Sequence, residues 1–320
     1  MALIALDVGG TKIAGGLFSV QGKLLERLVT SVADKKRDEI GASIIEQIQQ
    51  LSQKAGEQND EVTAIGACVP GIYNPEKGTV WAPNLNGWDS YPLLEKITKH
   101  VEKKIPVQID SDRSCYILGE IWQGNARGCR NAIFLAVGTG IGAGIIVDDR
   151  VLRGTGNSAG SVGWMALNRP YLKEYDECGC FEYHASGSGL VKVCKKYLFE
   201  EKSYTGKLRD IPAEEMTTKD IFSAYNQNDP MAKRVIGEAV EFWGMAVANL
   251  ISIFNPEKII LGGGVFKAAA PLLDQIKTEA KRWAQPIAIN EVSIDVAALG
   301  NDAGLYGAAN LALQAVQKNK

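Results

Sequence analysis

Three glycine-rich turns and two carboxylates are the parts of this chain best suited to chemistry. The turns read DVGGTK at residues 7–12, VGTGIGAG at 137–144 and LGGGV at 261–265. Glycine carries no side chain to keep phosphate oxygens from backbone N–H groups, so such turns can cradle a nucleotide's phosphates, here with Thr11 and Lys12 beside the first. Any one of them alone reads as a tight hairpin turn. Three of them, two at matching places of a repeated segment, favour phosphate binding. Asp7 ends an apolar strand, where a carboxylate needs a partner, and a hydrated Mg2+ on a nucleotide would be one; a turn-capping aspartate is the plainer reading. Asp112, in IDSDRSC, follows the strand VQI at the start of a helix, the place where α/β folds put ligands. It can accept a proton from a substrate hydroxyl there, or simply cap the helix. In the loop PGIYNPEKGTVWAPNLNGWDS, Asn84 offers the donors and acceptors that a polyol requires. Trp81 and Trp88 can stack on a sugar's apolar face or pin a surface loop.

The two standard nucleotide patterns are missing. GxxxxGK[ST] is absent, and GxGxxG fails because Ala143 stands where the third glycine should fall. A nicotinamide-dependent dehydrogenase is disfavoured on the same ground.

The elements that must hold these residues follow from a repeat. IALDVGGTKIAGGLFSVQGKLLER from Ile4 and IFLAVGTGIGAGIIVDDRVLRG from Ile133 each run apolar stretch, glycine turn, apolar stretch, polar turn, short stretch. That is a strand meander. A spacing of about 130 residues is too long for a solenoid and implies two related α/β domains. Between the copies the pattern predicts a helix from Arg37 to about Lys54, the strand TAIGACV, a loop over 70–88, a helix near 91–103, the strand VQI and a helix over 113–122. An irregular glycine-rich stretch over 154–189 follows. A long helix over about 231–254, stopped by Asn255-Pro256, leads to the strand KIILGGG, whose glycines should open another helix. The last helix runs over about 303–316 after Asn301 or Asp302, and the tail QKNK is expected to fray.

Composition narrows the class. Apolar residues make up 46% of the 320, enough for real cores, and the net charge of −2 argues against a protein held to nucleic acid or an anionic membrane. No run of 18 apolar residues predicts a membrane span, and the start lacks the pattern of a signal peptide. The six irregularly spaced cysteines fit a reducing cytoplasm better than a disulfide framework.

DVGGTK, VPG followed by APNLNGW, the Ser111-Asp112 pair, VGTGIGAG, SAGSVGW, GCFE, LGGG and LGNDAGLYGAANLAL together resemble the ROK family (repressors, open reading frames and sugar kinases), within the actin-like ATPase and hexokinase superfamily. The resemblance covers nearly the whole chain in order, and is more specific for the family than for the substrate. It implies an α/β fold of two RNase H-like domains flanking a cleft. The N-terminal domain would be residues 1–112, completed by the C-terminal helix at about 301–320, and the larger C-terminal domain 113–300. It implies an ATP-dependent sugar kinase, glucokinase-like, with Mg2+ held through water by Asp7. Asp7, Gly9, Gly10, Thr11 and Lys12 match the first phosphate motif, Gly138, Thr139, Gly140 and Gly142 the second, while Gly262, Gly263 and Gly264 lie near the nucleoside. Asp112 matches the catalytic base, accepting a proton from the attacking hydroxyl, which the resemblance implies is the 6-OH of a hexose. Gly71, Asn84, Ser111, Ser161, Trp164 and Glu182 fall on sugar-site positions. The family's repressors carry a helix-turn-helix before the first motif; here that motif begins at residue 7, so none is expected. A homodimer is expected, and a catalytically silent sugar-binding regulator on the same fold is the alternative.

The chain departs from the family pattern at Ser111, usually Asn, at Ser161, usually Glu, and at Trp164, usually the His of a zinc site. In DECGCFEYH, residues 176–184, only CGC remains of the cysteine ligands, and His184 lies beyond Glu182. A structural zinc needs about four ligands. The stretch therefore reads as a zinc knuckle without its metal that still positions Glu182. The three changed positions predict a substituted or unusual sugar, with Trp164 offering a flat wall to a substituent or else filling the volume left by zinc.

Overall fold

The chain, described over residues 1–318 by a computed structural model, divides into two compact units. One comprises Met1–Gly128, Val151–Ala159 and the chain from Asn301 onward; the other comprises Cys129–Arg150 and Gly160–Gly300. Of the QKNK tail, residues 319 and 320 lie outside the described part.

The first unit opens with an antiparallel meander of β1 (Ala2–Val8), β2 (Lys12–Ser19) and β3 (Leu24–Ser31). After α1 (Arg37–Glu57), β4 (Val62–Val69) returns parallel to β1. The short hairpin β5 (Ile72–Asn74) and β6 (Thr79–Trp81) then leads through α2 (Leu93–Thr98) to β7 (Val107–Ser111) and α3 (Asp112–Gln123). The sheet runs β3-β2-β1-β4-β7. α2 is shorter than its apolar pattern predicts because Tyr91 bridges Val80 and stacks on buried Trp88, so the chain stays extended until Pro92.

The C-terminal helix, Ala303–Lys318, packs on β1, β4 and α3 through small residues. A methyl on Gly66 would sit 1.8 Å from the Ala308 carbonyl oxygen, and one on Gly307 1.9 Å from that of Cys115. Such close backbone approach tolerates only glycine. It also explains why α3 lies in the first unit, which extends to Gly128 rather than ending at 112 as the sequence predicted.

The second unit repeats the plan. β8 (Ala132–Val137), β9 (Ile141–Val147) and β10 (Arg150–Val151) form the meander. The stretch predicted to be irregular contains α4 (Cys180–Ala185) and the start of α5 (Gly187–Glu200). Then come α6 (Thr218–Asn226), α7 (Pro230–Phe254), β11 (Lys258–Gly262), α8 (Phe266–Ala269), α9 (Leu273–Trp283), α10 (Ala288–Glu291) and β12 (Ser293–Val296). The sheet order, β10-β9-β8-β11-β12, matches the first strand for strand.

α7 starts on Asp229, whose carboxylate accepts from Ala232 N at 3.0 Å with Pro230 at the first helical position, and ends on Asn255 in the left-handed region. It is the one described helix long and apolar enough to cross a membrane. Its apolar residues instead face α4, α5, α6 and α9, which makes it the core helix of this unit.

Candidate functional site

In the first unit β1, β4 and β7 end side by side. Their register sets Asp7 opposite Cys68, and Cys68 opposite Asp110. Gly9 N donates to Lys12 O at 2.9 Å and closes the turn after β1. The Asp7 carboxylate lies against Gly304, where a methyl would come within 2.7 Å of Oδ2. Burial pushes its pKa up to about 6, against a hydrogen bond from the Cys68 thiol; the charges of Asp112 and Asp302 raise it further and Lys12 lowers it. An Asp7 carboxylate with its pKa raised further by the charges of Asp112 and Asp302 suits a cation nearby. Among the described residues no three ligating side chains converge closely enough to hold a bare ion. The residues present therefore fit a hydrated Mg2+ bound through its water shell.

Ser111 is the N-cap of α3, its hydroxyl accepting from Ser114 N. This makes Asp112 the first residue of the helix rather than its cap. Asp112 Oδ1 accepts from Arg113 N at 2.8 Å. The helix start and the Arg113 charge favour the carboxylate, but burial outweighs them and lifts its pKa to about 6. Ser111 is buried with its hydroxyl in the cap, so its side chain is not presented as a free sugar contact. Next to it, Asp110 accepts Ser111 N through Oδ1 at 2.8 Å and Arg153 through Oδ2.

The loop over 70–88 is held by Gly71, whose φ is +83° and whose added methyl would lie 2.2 Å from the Trp81 carbonyl oxygen. Asn84 is exposed and lies over Gly10. The two tryptophans differ. Trp88 is buried, stacked on Tyr91 with centroids 4.4 Å apart, and donates through Nε1 to Arg37 O. It is a core anchor; Trp81 is exposed.

In the second unit Gly138 N donates to Gly140 O at 2.9 Å, the counterpart of the first turn. Behind it, Glu182 Oε2 accepts from Ile141 N at 2.6 Å. Gly140 and Gly163 leave room for this carboxylate, since a methyl on Gly140 would meet Oε2 at 2.7 Å. Burial raises the pKa of Glu182, and the Ile141 bond partly offsets this. Gly187 N donates to Gly138 O, and the Ser188 hydroxyl donates to Thr139 O at 2.7 Å, tying the start of α5 to the turn. Beside these lies an open cavity of about 580 Å³ lined by Thr139, Lys195, Thr218, Phe222 and Gly264, among others.

Two glycines matched to the phosphate and nucleoside motifs serve the fold instead. Gly142 is paired within β9 to Ala136. Gly262 ends β11, buried against the Phe134 ring, where a methyl would clash at 2.2 Å. Gly263, with φ +92°, turns the chain so that Gly264 can reach the cavity. Ser161 and Trp164 are both exposed. The Trp164 indole is 58% exposed and thus does not plug an internal volume.

DECGCFEYH folds as a turn leading into α4. His184 is buried, its ring stacked on Phe242 at 4.3 Å. Both its nitrogens are engaged, Nδ1 with Glu238 at 2.9 Å and Nε2 with the Tyr175 hydroxyl at 2.7 Å. The stretch places Glu182 on the first turn of α4.

Sequence reasoning missed Asp302, Cys68 and the Asp110–Arg153 pair. Only Asp302 left a signal, in the GNDAG run, because Gly304 makes room for Asp7. It missed the lysines of the second-unit cavity altogether.

A model of the ROK family matches residues 3–315. A glucokinase of Halalkalibacterium halodurans is 31% identical over 310 residues, covering 95% of this chain and 92% of that protein. A beta-glucoside kinase of Listeria innocua is 29% identical over 309 residues, covering 96% of each. Among solved structures, a ROK family glucokinase from Streptomyces griseus in complex with glucose and AMPPNP superposes with a TM-score of 0.77 at 29% identity, covering 98% of this chain and 100% of that one.

Proposed function

The chain belongs to the ROK family, and from that premise we propose that it is an ATP-dependent sugar kinase with Asp112 as general base. The carrying observation is Asp112 itself: a carboxylate at the C-terminal edge of a parallel sheet, with its pKa lifted to about 6 so that it is charged yet basic near neutral pH. Asp112 takes the proton of a sugar hydroxyl, the 6-OH in our reading, as that oxygen attacks the terminal phosphorus. Asp7 would hold Mg2+ through its water shell. ATP supplies the phosphoryl group and leaves as ADP; a bound Mg2+ would supply charge stabilisation for the transferring group. The main-chain amides of Gly10 and Thr11 and of Thr139 and Gly140 meet phosphate oxygens, with Thr11, Lys12 and Thr139 side chains beside them. Glu182, oriented by Ile141 N, binds sugar hydroxyls in the second unit; Gly71 and Asn84 shape the sugar side of the first.

The test is sugar-dependent ADP release across a panel of hexoses. Asp112→Asn should abolish turnover and spare sugar binding. A wild-type protein that binds sugar but releases no ADP with any hexose would instead be a regulator on this fold.

For the substrate, the exposed indole of Trp164 and the short side chain of Ser161 support a hexose bearing a substituent, such as a glycoside or an acetamido sugar. The similarity to a beta-glucoside kinase points the same way. A clear preference for free glucose would remove this reading. We read CGC as the remnant of a zinc site, to be checked by metal analysis of the purified protein: stoichiometric zinc would overturn it. The exposed Ile253, Trp283 and Ile287 of the second unit support a homodimer, to be measured by light scattering. Six unpaired thiols support a cytoplasmic setting.

A further inference from the structure

The cavity of the second unit has an apolar lining against which a flat ring can pack. Its apolar lining comes from Val191 on α5, Met216 and Phe222 around α6, and Val265 and Ala268 after β11. Stacking between such faces is open to any nucleobase, since every base has a π-face. Selection among bases must come from polar groups at the edge.

Those groups are poorly suited to choosing. The Ser188 hydroxyl donates to Thr139 O at 2.7 Å, that of Thr218 to Gly187 O at 2.8 Å, and that of Thr217 to Asp220 Oδ2 at 2.6 Å. With their protons committed to the protein, all three offer only lone pairs outward. The side-chain donors left are the Thr139 hydroxyl and the ammonium groups of Lys192, Lys195 and Lys219. Lys192 reaches Glu177 at only 3.8 Å, so none of the three lysines is locked in place. Among the described residues that line the cavity none is Asn, Gln, Asp or Glu, so no side chain can donate and accept in the paired fashion that marks adenine. A lysine ammonium serves the O6 and N7 acceptors of guanine or hypoxanthine at least as well as N7 of adenine. A site rejects an analogue strongly only when it holds buried polar groups that the analogue leaves unpaired.

We infer that the phosphoryl donor is recognised as a nucleoside triphosphate of broad base identity, with GTP and ITP serving alongside ATP. The inference rests on the kinase reading and on the nucleoside occupying this cavity.

The experiment compares kcat/KM for ATP, GTP, ITP and UTP at saturating sugar and Mg2+, with titration of a fluorescently labelled ATP analogue as a second readout. The expected result is GTP and ITP within about tenfold of ATP, and Lys195→Met lowering the value for GTP about fivefold more than for ATP. A larger preference for ATP, or a Lys195→Met effect equal for both, overturns the inference and leaves the kinase standing; it would mean that main-chain groups read the base. Absence of turnover with all four, while the labelled nucleotide still binds, overturns the kinase reading instead.

Discussion

The two glycine turns began as one design and now do opposite work. Aligned by their strands, Ala136 in the second unit stands where Asp7 stands in the first, and Gly262 stands where Cys68 does, each pair at the same register of the same sheet order. The first turn is backed by Asp7, Asp112 and Asp302; the second by small residues, with one carboxylate, Glu182, tied down by Ile141 N. Charge collects in one unit and shape in the other. A catalytic edge needs groups that can hold a cation and take a proton. A binding edge needs backbone donors and apolar room, and an unpaired carboxylate there would repel the phosphates.

The largest effect should come from the first unit. Asp112→Asn lowers kcat about 10³-fold with sugar affinity retained, measured by coupled assay and calorimetry. Asp7→Asn lowers turnover about 10²-fold and raises the Mg2+ concentration needed for half-maximal rate, because the water shell loses its charged partner. Wild-type activity should fall below about pH 6, since both carboxylates have pKa values near 6 and act in the charged form. The same shifts make a stability prediction of opposite sense. A carboxylate whose folded pKa is raised contributes stability below its unfolded value of 3.8 and loses it as pH rises through about 6. Asp112→Asn should therefore melt above the parent at pH 8 and level with it at pH 4.

In the second unit effects should be smaller and fall on binding. Gly140→Ala pushes on Glu182 and raises the sugar KM about tenfold with little change in kcat, which steady-state kinetics will separate. Trp164→Ala should change the unfolding free energy by no more than about 0.5 kcal/mol, because the indole is mostly exposed, while changing the ratio of activity on substituted and free hexoses. If Gly140→Ala instead lowered kcat as far as Asp112→Asn does, the division between charge and shape would fail.

Local pattern and chain order were enough to find the meanders, the two-fold repeat, α1, α7 and the family. Strand alternation, glycine turns and the Asp229 and Asn255 caps all act between near neighbours, and neighbours are visible in sequence. They also marked Asp7 and Asp112, because a carboxylate at the end of an apolar strand needs a reason to be there; Glu182 was reached only through the family resemblance. Tertiary structure alone decided which look-alike residues were available. It buried Trp88 and exposed Trp81, turned Ser111 into a cap, consigned Gly142 and Gly262 to packing, and closed both nitrogens of His184. It also brought Asp302 and Gly304 to Asp7 from nearly 300 residues away, and joined Asp110 to Arg153. Burial and long-range charge depend on which segments meet, and no local rule of spacing encodes that meeting.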